Sequence, residues 1–159
     1  MIGVDAGEGR IMTVYFFDSS ALVKRYRYET GSERVSDLFD SAERLTLSRL
    51  AQAEVIAAIV RRSRAAGAPE DGLRGVVAVF SRELEELFEI VELDAPVIEK
   101  AAALALKHGL RGADAVQLAC ALLARNDATQ QEFTFVGSDH ELNVAAEAEG
   151  LAVIDPTVA

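Results

Sequence analysis

Short β-branched and aromatic runs alternate with longer helical patterns along this chain. The first run, TVYFF, covers residues 13–17, and later ones cover 45–48, 89–93, 133–138 and 151–155. The segments between them carry apolar residues at helical spacing. Strands separated by helices are joined by right-handed crossovers, which make neighbouring strands parallel. The alternation therefore predicts an α/β fold in which a mostly parallel central sheet lies between two layers of helices.

The length of 159 residues is that of one domain. Residues 1–12 have the composition of a loose leader, and residues 13–156 carry the alternating pattern. Met12 begins a more typical start than Met1 and is an alternative initiator. Two capping boxes are expected to begin helices, one over residues 30–33 and one over residues 138–141.

The composition excludes several classes of protein. One cysteine, Cys120, excludes an internal disulfide and a cysteine-rich zinc site, and two histidines leave little for soft metals. The absence of tryptophan and the low aromatic content of 6% argue against a base-stacking platform. No apolar stretch is long enough to span a membrane, and the acidic start does not resemble a signal peptide. We therefore expect a cytoplasmic protein with no membrane association.

The net charge of −10 is unevenly distributed. Residues 1–82 carry 12 Lys and Arg against 11 Asp and Glu, whereas residues 83–159 carry 4 against 15. The halves are thus +1 and −11. A net negative charge argues against binding of a polyanion. The uneven distribution still allows a polyanion to bind at the basic end of the molecule.

The common nucleotide-binding, hydrolase and zinc-protease motifs are absent. Four acids nevertheless lie at the ends of predicted strands or on apolar helix faces, where a carboxylate is energetically unfavourable. Asp18 directly follows the first predicted strand, and Asp139 directly follows the strand that ends at residue 138. Glu54 and Asp114 lie on apolar helical stripes. Ligands of open α/β sheets bind beyond the carboxyl ends of the strands, so these acids are expected to meet at that edge.

Each acid also has an ordinary structural explanation. Asp18 and Asp139 could be helix caps, Asp114 a first-turn acid, and Glu54 the margin of an apolar stripe. Four carboxylates at one edge would nevertheless repel one another. A divalent cation held by oxygen ligands, Mg²⁺ or Mn²⁺, is the usual remedy.

The segments around these acids resemble a known family. FFDSSALVKRY, AEVIAAIVRR, RGADAVQLACAL and FVGSDHELNVAAEAEGL are similar, in this order and at these intervals, to motifs of the PIN domain, and more narrowly of the VapC-like ribonuclease toxins. The resemblance implies a PIN-like α/β/α sandwich, endoribonuclease activity dependent on Mg²⁺ or Mn²⁺, a cognate antitoxin and a homodimer. The residues that match the catalytic and metal-binding acids of the family are Asp18, Glu54, Asp114 and Asp139. Ser19 matches the hydroxyl that often follows the first acid and contributes to cofactor binding.

The substrate implied by the resemblance is RNA, and the nearest basic residues to the Asp18 edge are Lys24, Arg25 and Arg27. We expect them to hold its phosphates. Two alternatives remain open at this stage: a non-catalytic PIN-like module that binds RNA or protein, and a phosphotransfer protein with Asp18 as nucleophile. The second lacks the further acid, two residues after Asp18, that haloacid-dehalogenase-like phosphatases require.

Overall fold

A computed structural model describes residues 9–127 and 129–159 of the chain. Within these residues the chain forms five strands and seven helices. The strands are β1 (Met12–Phe17), β2 (Arg44–Ser48), β3 (Phe88–Val91), β4 (Gln131–Val136) and β5 (Ala152–Ile154). The helices are α1 (Ser19–Tyr26), α2 (Ser32–Ser41), α3 (Arg49–Ala65), α4 (Glu70–Leu87), α5 (Ala95–His108), α6 (Gly112–Ala124) and α7 (His140–Ala148).

The five strands form one parallel sheet in the order β3-β2-β1-β4-β5. β1 lies at the centre, where Tyr15 is in register with Leu45 of β2 and Thr134 of β4. This central position explains the nearly continuous apolar run of β1, since a parallel strand is covered on both faces. The carboxyl ends of β1, β2 and β4 consequently meet at one edge of the sheet.

Helices cover both faces of the sheet. Successive side chains of a strand point to opposite faces, so Phe16 and Phe17 enter different cores. Phe17 packs with apolar residues of α1 to α4, whereas Phe16 stacks on Phe135 beneath α5, α6 and α7. The predicted α/β/α sandwich with a parallel central sheet is confirmed.

The structure places the start of the sheet at Met12, the last residue of the predicted leader. The Met12 N–H donates to the carbonyl of Gln130 at 3.1 Å, and Arg10 forms an ion pair with Glu43. Residues 1–8 lie outside the described residues, and the division between leader and domain stays a prediction. No helix in the described part of the chain is long and apolar enough to cross a membrane.

Both predicted capping boxes are wrong. The first helix of the two, α2, begins after Gly31, whose φ of 96° lies in the left-handed region that favours glycine, and no side chain caps it. The second, α7, is capped by Asp139 rather than by Ser138. Asp139 is one of the four acids of the predicted metal site, and it is also the N-cap of α7.

Candidate active site

Asp18 lies at the carboxyl end of β1, in the centre of the sheet edge, and is 4% exposed. It is the N-cap of α1, and its Oδ2 accepts hydrogen bonds from the Ser20 N–H at 3.3 Å and the Ser20 hydroxyl at 2.5 Å. The same Ser20 hydroxyl accepts from the Ser138 N–H at 2.9 Å. Asp18 is therefore anchored to the segment that follows β4.

The environment of Asp18 disfavours its charge. Burial raises the pKa of its carboxyl to about 6, although the hydrogen bonds from Ser20 oppose that rise. Repulsion by Glu54 and Asp114 raises the pKa further. Since a buried carboxylate is costly without a cationic partner, the site is one that a cation would stabilise.

Glu54 projects from α3 and is held by two neutral donors. Its Oε1 accepts from the Ser19 hydroxyl at 2.9 Å and from Gln117 Nε2 at 2.7 Å. Gln117 Nε2 also donates to the Ser19 oxygen at 2.9 Å, and its own Oε1 accepts from the Ser48 hydroxyl at 2.9 Å. The Ser19 hydroxyl is thus occupied by Glu54 and Gln117.

Sequence reasoning missed Gln117. The available signal was a polar residue within the apolar stretch AVQLACALLA, one helical turn after Asp114. The side chain is 1% exposed and all of its bonds are to polar groups of the site. Gln117 accordingly belongs with the four acids as a component of this edge.

Asp114 lies in the first turn of α6 and is half-buried. Burial raises the pKa of its carboxyl, and repulsion by Asp139 and Glu54 adds to the rise, while Arg111 opposes it. Asp114 therefore interacts electrostatically with each of the other three acids.

Asp139 is exposed, and its Oδ1 accepts from the Leu142 N–H at 2.9 Å as the cap of α7. Asp18 and Asp139 are therefore both helix caps, as their alternative explanation proposed. Helix capping does not by itself explain the position of Asp18, because a cap does not require burial beside two further acids.

The four acids influence one another electrostatically without forming a compact group. Among residues 9–127 and 129–159, no three His, Cys, Asp or Glu side chains are arranged as a ready-made metal cage. None of the ion pairs within the same residues involves one of the four acids. Carboxylate oxygens without counter-ions are suitable ligands for Mg²⁺. This ion often binds only one or two carboxylates and completes its coordination shell with waters and phosphate.

Lys24 and Arg25, two of the three cations expected to hold RNA phosphates, have intramolecular partners, and phosphate binding by them and by Arg27 stays a prediction. Lys24 is buried and pairs with Glu29 at 3.1 Å. Arg25 donates to both carboxylate oxygens of Glu83, at 2.9 and 3.0 Å, and lies over the ring of Phe39 at 4.1 Å. Both cations fasten α1 to its neighbours, and they lie at the end of α1 remote from Asp18.

Comparison with known proteins places this arrangement in a family. The PIN domain family matches residues 15–143. Ribonuclease VapC49 of Mycobacterium tuberculosis is 41% identical over 114 residues, which are 70% of this chain and 76% of that protein. These matches give no support to the phosphotransfer alternative.

Solved structures of similar fold agree with the assignment. The sarcin-ricin loop cleaving toxin VapC20 of Mycobacterium tuberculosis superposes with a TM-score of 0.64 at 18% identity, over 87% of this chain and 96% of that one. A toxin-antitoxin complex from Klebsiella pneumoniae gives a TM-score of 0.60 at 16% identity, over 89% and 97%. At such identities the structural similarity shows only a shared fold, and the sequence matches identify the family. This chain belongs to the PIN domain family, among the VapC ribonucleases.

Proposed function

We propose that this chain is the toxin of a toxin–antitoxin pair, an endoribonuclease that hydrolyses RNA phosphodiester bonds with the help of Mg²⁺ or Mn²⁺. The observation that carries the proposal is the buried carboxylate of Asp18, which shares the sheet edge with further acids and has no cationic partner within the described chain. Similarity to proteins named ribonuclease VapC supports RNA as the substrate.

The residues that would hold the metal are Asp18 and Asp114, with Glu54 and Asp139 as further ligands or as acceptors for its waters. When bound, a divalent ion would stabilise negative charge on the phosphate and activate water for attack. The chain itself fixes Asp18 through Ser20 and fixes Glu54 through Ser19 and Gln117. Above pH 6 the Asp18 carboxyl is ionised and able to bind a cation.

A side-chain nucleophile is not needed for this reaction. Cys120 is fully buried, and burial raises the pKa of its thiol to about 12, so the thiolate form is absent at neutral pH. Hydrolysis by water is the reaction class that an all-carboxylate site supports, and it suits a chain with two histidines.

The partners we propose are an RNA substrate, a cognate antitoxin protein and a second copy of this chain. Similarity to VapC ribonucleases and to a solved toxin-antitoxin complex supports the antitoxin. The RNA substrate suggests a cytoplasmic site of action.

The test is RNA cleavage by the purified chain with Mg²⁺ or Mn²⁺. We expect EDTA to abolish cleavage and Asp114→Asn to reduce it at least 100-fold, because the metal loses a charged ligand. Asp71→Asn is a matched control, since Asp71 is a first-turn acid of α4 and not one of the four acids.

Two results would contradict the proposal. Full cleavage in EDTA would exclude a role for the metal. RNA binding without cleavage under any divalent ion would favour the alternative, a non-catalytic PIN-like module.

A further inference from the structure

Gln117 is a buried amide whose polar atoms are all bonded. Its Nε2 donates to Glu54 Oε1 at 2.7 Å and to Ser19 Oγ at 2.9 Å, and its Oε1 accepts from Ser48 Oγ at 2.9 Å. A glutamine inside an apolar helix face is costly, and these three bonds offset that cost. Its partners belong to the site and to no other part of the molecule.

The orientation of the amide follows from the chemistry of its neighbours. Gln117 Nε2 donates to Glu54 Oε1, and a carboxylate oxygen serves there as the acceptor, so the amino group of the amide faces Glu54. Ser48 Oγ already accepts from the Ala51 N–H at 3.3 Å as the cap of α3, which leaves its proton for Gln117 Oε1. The reversed amide would place an oxygen against the Glu54 carboxylate and lose both arrangements.

The amide joins the three segments that carry three of the four acids. Ser19 follows Asp18 in the chain, Ser48 caps the helix that carries Glu54, and Gln117 itself lies one turn after Asp114. One side chain therefore fixes the relative positions of α1, α3 and α6 at the sheet edge.

We propose that Gln117 is a positioning residue that presets Glu54 for the metal. The inference rests on the metal site proposed above and extends it. With Oε1 held by Ser19 and Gln117, Glu54 keeps Oε2 without a donor among the described residues. A ligand that is oriented before the cation arrives loses less side-chain entropy on binding, and groups that orient metal ligands typically contribute 10- to 100-fold to affinity.

The experiment measures Mn²⁺ binding by the whole chain without RNA, from the electron paramagnetic resonance signal of free Mn²⁺. Gln117→Met keeps the length of the side chain and removes its polar atoms. We expect it to weaken Mn²⁺ binding about 10- to 100-fold. The variant also leaves the buried Ser48 hydroxyl without its acceptor, so its melting temperature in Mn²⁺-free buffer should fall, and Mn²⁺ binding is compared well below that temperature. Raising the Mn²⁺ concentration should restore RNA cleavage, because the defect lies in metal occupancy.

A double-mutant cycle tests whether the effect passes through Glu54. In the Glu54→Gln background, adding Gln117→Met should change the Mn²⁺ affinity less than about 3-fold. Thr46→Val is the matched control, since Thr46 is a buried hydroxyl of β2 that bonds the Tyr15 carbonyl and none of the acids, and its Mn²⁺ affinity should be unchanged.

The outcomes separate this inference from the proposed function. If the folded Gln117→Met protein binds Mn²⁺ within 2-fold of the unaltered chain, or weakens binding equally in both backgrounds, Gln117 does not position Glu54. If Gln117→Met fails to fold, Gln117→Asn replaces it and the same criteria apply. The Asn side chain is one methylene shorter and cannot bond Ser48 and Glu54 at the same time. Absence of Mn²⁺ binding by the unaltered chain would overturn the metal site and this inference together.

Discussion

Asp18 carries two roles that conflict in the absence of metal. As the cap of α1 it stabilises the helix, whereas as a buried acid beside Glu54 and Asp114 it destabilises the folded chain whenever it is ionised. The two effects have opposite signs and different pH dependence. They can therefore be separated by experiment.

In EDTA, we expect the titration of Asp18 to reduce the stability of the folded chain as the pH rises from about 4 to about 6. The folded-state pKa of Asp18 is raised from 3.8 to about 6, so in this interval the folded state binds a proton that the unfolded state has released. The shift corresponds to about 3 kcal/mol in the free energy of unfolding. Asp18→Asn removes this titration, so the variant should equal or exceed the unaltered chain at pH 7 and lose that advantage at pH 4.

Urea unfolding of both proteins at the two pH values, with EDTA and with Mg²⁺, gives the comparison. Mg²⁺ should stabilise the unaltered chain at pH 7 by RT ln(1 + [Mg²⁺]/Kd) and the variant much less. If Asp18→Asn is destabilised by the same amount at both pH values and Mg²⁺ shifts neither protein, Asp18 is only a cap.

At the scale of the element, the join between β4 and α7 is closely packed. A Cβ at Gly137 would lie 2.6 Å from Asn143 Oδ1 and 2.8 Å from the Phe135 ring. Both neighbours are buried, and Asn143 Nδ2 donates to the Gly137 carbonyl at 2.8 Å. The missing side chain lets α7 approach β4 closely enough to present Asp139 at the edge.

We expect Gly137→Ala to lower the free energy of unfolding by about 1–3 kcal/mol and to reduce metal-dependent cleavage, because α7 must move and carry Asp139 with it. Gly75→Ala is the contrasting control. A Cβ at Gly75 meets nothing within 4 Å, so alanine inside α4 should raise stability by about 0.5–1 kcal/mol. Equal stability and equal cleavage by the two variants would show that α7 is free to adapt.

The elements that position Asp18 could be predicted from sequence because local patterns determine them. A β-rich run that ends in Asp-Ser-Ser identifies both the strand and the helix start, and parallel strands end at a common edge. The role of Gln117 could not be predicted, since its partners Ser19 and Glu54 lie 98 and 63 positions away. The pairing of Arg25 with Glu83 spans 58 positions and escaped prediction for the same reason.

At the scale of the whole molecule, the structure shows which cations of the two halves are paired. Three cations of the basic first half, Lys24, Arg25 and Arg62, form ion pairs with Glu29 and Glu83. One cation that influences the acids lies instead in the acidic half. Arg111 is exposed at the start of α6, influences the pKa of Asp114, and forms none of the ion pairs found within the described chain.

We expect Arg111→Gln to weaken RNA binding and to lower the slope of log K against log salt concentration by about 0.7, the value for one phosphate contact on a single strand. The measurement is a salt titration of binding to a single-stranded RNA in EDTA, so that cleavage does not interfere. Arg82→Gln on α4 is the control and should leave the slope unchanged. Equal slopes for Arg111→Gln and the unaltered chain would exclude this contact.

The central position of β1 has a consequence for biosynthesis. β1 ends at Phe17 and leaves the ribosome well before its neighbour β4, which begins at Gln131. Until β4 is inserted beside β1, Ser20 lacks its bond from Ser138 and Asp139 has no place at the edge. Under the proposed function, a nascent chain that has not yet placed β4 beside β1 lacks part of its site, so we expect cleavage to require the segment that contains Ser138 and Asp139.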